Sequence, residues 1–321
     1  MTERNMAQKG YFLFSLDTEL GIGHFDFDKK RHTLFSQDGV IERRRIQAVL
    51  SMCEKYDIHA TWAIVGHIFF SKCEYCDHCL LKHWQGKFDS YEEAYGTNHP
   101  LWYGADVVKM IQNASVTQEI GFHGHTHEPF DLISADQAQL EVDEWKRVAE
   151  RFEIKASSVV FPRDRIEHLG LLHNNGYQSY RKEMVMPWFY QNRFLGRFVK
   201  TMDHIVGIST APSYPLEANY DQGMLRLPAS QHLFGFNRGV DQILNRMGFK
   251  KLRIRRIIRG IKRAAEEGRM FHLWAHPWEF SSEGDMEKLD AIFSAVDGLV
   301  SVGQIESVTM EQMADILECE T

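Results

Sequence analysis

Six short apolar runs, each ending at polar residues, constrain this chain more than any other feature. They are YFLFSLD (11–17), HATWAIVG (59–66), EIGFHGH (119–125), SSVVFP (157–162), GMLRLPAS (223–230) and MFHLWAH (270–276). Runs this short have strand length and fall below helix length. Helical patterns lie between several of them. VIERRRIQAVLSMCEKY (40–56) is one; ADQAQLEVDEWKRVAERF (135–152), after the N-cap candidate Ser134, is another. Strands alternating with helices imply βαβ units and a parallel sheet. Six or more such strands in 321 residues suit a single (β/α) barrel better than a small open sheet. Chemistry in such barrels sits at the C-terminal strand ends, and each motif below falls at one.

Bulk properties remove several alternatives. A net charge of -7 argues against a surface built for nucleic acid. No apolar run approaches the roughly 18 residues a membrane helix needs. MTERNMAQKGYFLFSLD carries no apolar segment bounded by a small-residue cleavage site, so a cytoplasmic location is expected. Five cysteines, an odd number, are expected to be reduced thiols rather than a disulfide framework.

The first motif is SLDTELGIG. Asp17 and Glu19 lie two positions apart at a strand end, which puts them on one face. Such a pair is either a metal ligand with a base or two acids solvated at a rim. The apolar run before it and Gly21 and Gly23 after it favour a buried strand emptying into a tight loop. The second motif, EIGFHGHTHEPF, places His123, His125 and His127 within five positions. An extended segment would put all three on one face. A helical turn would pair His123 with His127 and turn His125 away. Two imidazoles and a carboxylate leave coordination positions open for water and substrate; the alternative is a surface histidine cluster. The third motif, MFHLWAHPWEF, holds His272 inside an apolar strand and His276 at its rim. A histidine there suits proton donation near neutral pH, whereas His272 reads as a core histidine.

Taken in order, these segments resemble the polysaccharide deacetylase family, the NodB-type carbohydrate esterases. The resemblance runs from SLDTELGIG to FHLWAHPWEF and is strongest in EIGFHGHTH, similar to the family's E-I-G-x-H-x-x-x-H. ATWAIVG (60–66) resembles the second family strand, and VVFPRDRIEHLGLLHNNGYQSYR (159–181) the arginine-bearing motif and following helix. The resemblance implies an α/β fold, a deformed (β/α) barrel of the polysaccharide deacetylase type, with residues 1–321 as one barrel domain. It implies one divalent metal, zinc first and cobalt, nickel, manganese or iron as alternatives. It makes His123 and His127 metal ligands, His125 a groove residue and His276 the acid. The family's adjacent aspartates are replaced here by S-L-D-T-E, with Thr18 at the usual ligand position. Glu19 then supplies the ligand with Asp17 as base, or the two exchange roles, or Asp17 binds the metal with no separate base. The usual R-x-P-x-G is also absent, and F-P-R-D offers Arg163 to orient Asp17, with Asp164 beside it. The implied activity is removal of an acetyl group from an N- or O-acetylated sugar or glycan precursor. An allantoinase-like C–N amidohydrolase and a non-catalytic carbohydrate-binding barrel are the alternatives.

Three features fall outside the resemblance. Cys73, Cys76, Cys79 and His83, inside a loop insertion spanning 70–105, could close a structural zinc site, with free thiols in a loop as the plainer reading. A basic amphipathic helix over 246–269 places Ile254, Ile257, Ile258 and Ile261 at helical spacing among arginines and lysines. Packing on the barrel explains the isoleucines; a phosphate-bearing substrate or peripheral membrane contact is the functional alternative for the charges. Trp188, Phe189, Tyr190 and Trp278 could stack on a sugar face, though core packing explains most aromatics equally well.

Overall fold

The computed structural model describes residues 9–24, 35–36, 38–72, 100–184, 210–234 and 250–319. The elements in order are β1 (Gly10–Thr18), α1 (Val40–Lys55), β2 (Ala60–Ile64), α2 (Ala105–Gln112), β3 (Gln118–Phe122), α3 (Ala135–Glu150), β4 (Ser158–Val159), α4 (Leu169–Asn174) and β5 (Ser179–Lys182). There follow β6 (Tyr214–Pro215), β7 (Tyr220–Asp221), β8 (Met224–Pro228), β9 (Gln231–His232), α5 (Lys250–Glu267), β10 (Arg269–Ala275), α6 (Glu283–Val300), β11 (Ile305–Ser307) and α7 (Met310–Cys319). The sheet runs β6-β10-β1-β2-β3-β4-β5-β8-β7, with β9 paired to β10 and β11 to β1. From β10 through β8 the pairs are parallel. β9 follows β8 directly in the chain and pairs with β10, at the other side of the curl. The result is the deformed (β/α) barrel expected from the alternation of strands and helices.

Period-two alternation decides what faces the barrel interior. In β1, Phe12, Phe14 and Leu16 pack outward among the helices, and Leu13 belongs to the interior cluster. Ser15 and Asp17 continue the inward series. The same logic sends Phe271, Leu273 and Ala275 of β10 outward and leaves His272 inward. Leu13, Ala63, Val160, Leu225, Leu227 and Met270 fill the lower interior, and Met313, Ala314 and Leu317 of α7 plug it from below. Thr61, Glu119 and Ser158 form a polar layer at that closed end. Glu119 accepts hydrogen bonds from Thr61 Oγ1 (2.7 Å), Ser158 Oγ and the Glu311 backbone N–H at the start of α7 (3.1 Å). Among the described residues, the titratable groups that could hold an ion lie at the opposite, C-terminal strand ends.

Local signals account for the framework. Ser134 caps α3 through a capping box with Gln137, the Gln137 N–H donating to Ser134 Oγ at 3.3 Å. In α5, Ile257 and Ile261 are buried in the main core while Arg255, Arg259, Lys262 and Arg263 are exposed. The helix can lie this close to the sheet because residue 260 is glycine; a Cβ there would run into Phe271 and stand 2.8 Å from the Ala211 carbonyl. Arg256 does not join an exposed cationic patch. It is buried and hydrogen-bonded to Gln231. No described helix is long and apolar enough to cross a membrane. Cys73, Cys76, Cys79, His83, Trp188, Phe189 and Tyr190 lie outside the described residues.

Candidate metal centre

β1 ends at Thr18, and two acids flank that end. Thr18 is fully buried and its hydroxyl donates to the Leu16 carbonyl at 3.4 Å, so it presents no ligand. Glu19, one residue on, reaches across the strand ends. Its Oε1 stands 3.3 Å from His123 Nε2, 3.1 Å from His127 Nε2 and 3.7 Å from His276 Nε2. Residue 23 must be glycine for this, since a Cβ there would collide with the Glu19 carboxylate.

Past β3 the chain turns rather than staying extended. Gly124 (φ 70°) and His127 (φ 63°) both sit in the left-handed region. The turn brings the His123 and His127 rings to 5.0 Å between centroids. His125 points away, buried among His67, Phe70 and Gly66, and burial pushes its imidazole down to about 3. It is a wall residue rather than the groove residue the family resemblance implies.

Glu141 of α3, fully buried, holds the turn. It accepts hydrogen bonds from the His125 N–H (2.6 Å), the Thr126 N–H (2.8 Å) and Thr126 Oγ1. Sequence spacing gave no sign of this residue. Glu141→Ala is expected to weaken metal uptake by roughly 10–100-fold, the usual cost of losing an outer partner of a ligand. Competition against a chromophoric chelator measures it. Glu141→Gln, which keeps an acceptor, should recover most of the affinity. Glu119→Ala, a buried carboxylate lost from the start of β3, should lower stability and leave metal affinity unchanged.

The donor set fits a divalent ion. Glu19, His123 and His127 each offer an atom, all within 4.8 Å of one another, and all three residues are buried. His123 Nδ1 donates to the Val160 carbonyl at 2.7 Å, which leaves Nε2 as the free lone pair aimed at Glu19. Neither ring nitrogen of His127 has a hydrogen-bond partner among the described residues, although Nε2 lies close to Glu19. A buried imidazole without partners is costly, and a cation between it and the carboxylate removes the cost. Burial opposes ionisation of Glu19, but His127, His123 and His276 outweigh it and hold the carboxyl well below its usual range.

Asp17 belongs to a second arrangement. Arg181 of β5 clamps it with Nη1 to Oδ1 at 2.5 Å and Nη2 to Oδ2 at 2.7 Å. Arg181 also contacts Asp164 at 3.0 Å and Ser15 Oγ at 3.3 Å, and lies 4.2 Å above the Trp274 ring. Ser15 Oγ meets His272 Nε2 at 2.9 Å, completing a buried chain. Burial pushes the Asp17 carboxyl up, and the guanidinium more than reverses it. The F-P-R-D motif predicts this orienting role for Arg163. The structure gives it to Arg181, whose strand aims it inward, while Arg163 is exposed on a left-handed turn (φ 58°) and its charge acts on His127. Arg181 closes the YQSYR segment and lies inside β5, next to Lys182.

His276 stands over both acids, with Nε2 3.9 Å from Asp17 Oδ2. Its Nδ1 lies 3.1 Å from Glu279 Oε2, which also takes a contact of 2.9 Å from His232 Nε2. Burial would lower the His276 imidazole, but Glu279 dominates and raises it to about 10. His232 and Glu279 were not singled out by the sequence; each joins the site through a neighbouring strand or turn.

No family model matches this sequence, and no curated protein matches it. Solved structures do match. A candidate polysaccharide deacetylase from Mycobacterium smegmatis superposes with a TM-score of 0.57 at 13% identity, over 99% of this chain and 93% of the other. A GH57-type branching enzyme from Pyrococcus horikoshii matches at 0.52 and 12% identity, over 96% of this chain and 70% of the other. Puue allantoinase matches at 0.50 and 13% identity, over 97% and 91%. The chain therefore has the polysaccharide deacetylase fold. Within that fold it carries a buried glutamate and two histidines able to hold a metal ion at the C-terminal strand ends.

Proposed function

We propose that this chain is a metal-dependent hydrolase that removes an acetyl group from an N- or O-acetylated sugar. The observation carrying the proposal is the convergence of three separately supported groups: Glu19 with His123 and His127, Asp17 under Arg181, and His276 under Glu279. A divalent ion held by Glu19, His123 and His127, zinc being the first candidate, would supply Lewis acidity toward an acetyl carbonyl and acidify water for attack. Asp17, kept ionised by Arg181, takes the proton from the attacking water. Arg181 fixes the orientation of that carboxylate. His276, protonated at neutral pH by virtue of Glu279, gives its Nε2 proton to the departing nitrogen or oxygen as the C–N or C–O bond breaks. The products are acetate and the free amine or alcohol. Trp274, Trp278 and Phe35 offer apolar surface near His276 for a sugar face.

The likeness to Puue allantoinase supports a second reading, an amidase acting on a small cyclic molecule. One experiment separates them. Acetate release from acetylated hexosamine oligomers is expected, lost on chelation and restored by zinc. Chelator-resistant hydrolysis of a cyclic ureide, without acetate release from any acetylated sugar, would replace the deacetylase reading with the amidase one.

A further inference from the structure

Three groups of side chains among the described residues could hold a cation. Glu19, His123 and His127 form the centre above. Asp17, Glu19 and His276 share members with it and with the proposed proton-transfer pair. The third, His232, His276 and Glu279, contains one residue, His232, with no assigned role in the reaction.

This group is built and reachable. His232 is fixed on three sides. Its strand pairs with β10, its ring lies 4.2 Å from that of Trp274, and neighbouring Gln231 is held by Arg256. Glu279 is fixed by the His276 backbone N–H, which donates to Oε2 at 2.9 Å. The His232 and His276 rings stand nearly perpendicular, 83° apart, with centroids 5.8 Å apart. Each presents a nitrogen to the same carboxylate oxygen, at 2.9 and 3.1 Å. Zinc bonds to nitrogen and oxygen of about 2.0–2.2 Å put neighbouring ligand atoms roughly 3–3.5 Å apart, so little movement is needed. The side chains of His232, His276 and Glu279 are 13%, 19% and 11% exposed, enough for an ion to enter from solvent. Two imidazoles and one carboxylate with open positions make a donor set for Zn, Fe, Co or Ni.

We infer that His232, Glu279 and His276 form a second, weaker divalent-metal site that switches the enzyme off. The ion displaces the two N–H protons now shared with Glu279 and takes His276 through Nδ1. Bound through Nδ1, His276 becomes a neutral imidazole whose remaining Nε2–H is a far weaker acid than an imidazolium, so it no longer serves the leaving group. Catalysis then depends on metal in two directions, with activation by the first equivalent and inhibition by the second. The inhibition rests on the deacetylase reading; the binding site does not.

The test is Co²⁺ titration of metal-stripped protein, followed by visible absorption and by equilibrium dialysis. Wild type is expected to take up two equivalents. His232→Ala should take up one. His232→Gln, which keeps a hydrogen bond to Glu279 but is no ligand, should also take up one and guards against misfolding in the alanine variant. His127→Ala should lose the tight equivalent and keep the weak one. In acetate-release assays, filling the second site should lower the wild-type rate by on the order of 100-fold, the usual share of a general acid. His232→Gln, normalised to its own one-equivalent rate, should show no such fall. A single equivalent in wild type overturns the inference. So does a second equivalent that persists in both His232 variants, and thiolate charge-transfer bands would then place it on cysteines. If no acetylated substrate is turned over while the stoichiometries hold, the deacetylase reading fails and the site stands.

Discussion

His127→Ala is expected to yield a folded chain that retains no tight metal and releases acetate at least on the order of 100-fold more slowly than wild type. Losing a partner behind a ligand already costs roughly 10–100-fold in affinity or activity, and His127 is itself a proposed ligand. Its ring supplies one of three converging donors, and among the described residues neither ring nitrogen has a hydrogen-bond partner. The chain should still fold, because among the described residues the ring makes no hydrogen bond. A second variant separates ligand loss from backbone strain. His127 sits at φ 63°, where a side chain costs roughly 1–2 kcal/mol relative to glycine. His127→Gly should therefore be more stable than His127→Ala by about 1 kcal/mol and equally devoid of metal. Metal analysis with thermal denaturation reads both. Full metal retention in either variant would remove His127 from the centre.

What the sequence disclosed and what it hid divide along a physical line. Features set by neighbours along the chain were legible. Apolar runs of strand length marked β1, β2, β3, β4, β8 and β10, and Ser134 announced the start of α3. Asp17, Glu19, His123, His127 and His276 all stood at the ends of such runs, and the structure brings them together. Features set by contacts between distant strands were not legible. Spacing could not choose between an extended and a turned 123–127 segment, because the choice is made by Glu141 from α3 and by two left-handed residues. It could not assign the guanidinium, because β5 was not recognised as a strand. Arg163 and Arg181 lie 18 positions apart in one segment, and only the inward series of β5 tells them apart. His232 faced the same barrier: β9 is two residues long and earns its place only by pairing with β10.

Arg181→Met is expected to be the most damaging substitution to stability. Arg181 and Asp17 are both buried, and their pair carries two hydrogen bonds in parallel. Removing one partner of a buried pair costs about 3–5 kcal/mol, and here it leaves only His123 and His276 to oppose the burial of Asp17. Asp17 then escapes by taking up a proton, since burial alone pushes its carboxyl upward. The variant should thus lose activity through the base as well as stability through the fold. The pH dependence follows the same sign. With its folded value held below the unfolded one, Asp17 adds stability above its ordinary value near 4, and that increment disappears as pH falls through the lowered folded value. Arg181→Met should lack the increment. Pairing it with Asp17→Leu removes both charges and should recover most of the stability, because an apolar replacement of a whole buried pair is often neutral or better. Activity should not return. Arg181→Lys keeps a charge but cannot grip both oxygens or lie flat on Trp274, so it should fall between wild type and Arg181→Met in both readouts. Urea denaturation across pH, with acetate release on the same samples, measures all four. If the double variant were no more stable than Arg181→Met alone, the loss would come from the contacts of Arg181 with Asp164, Ser15 and Trp274, and the orienting role assigned to Arg181 would lose its energetic basis.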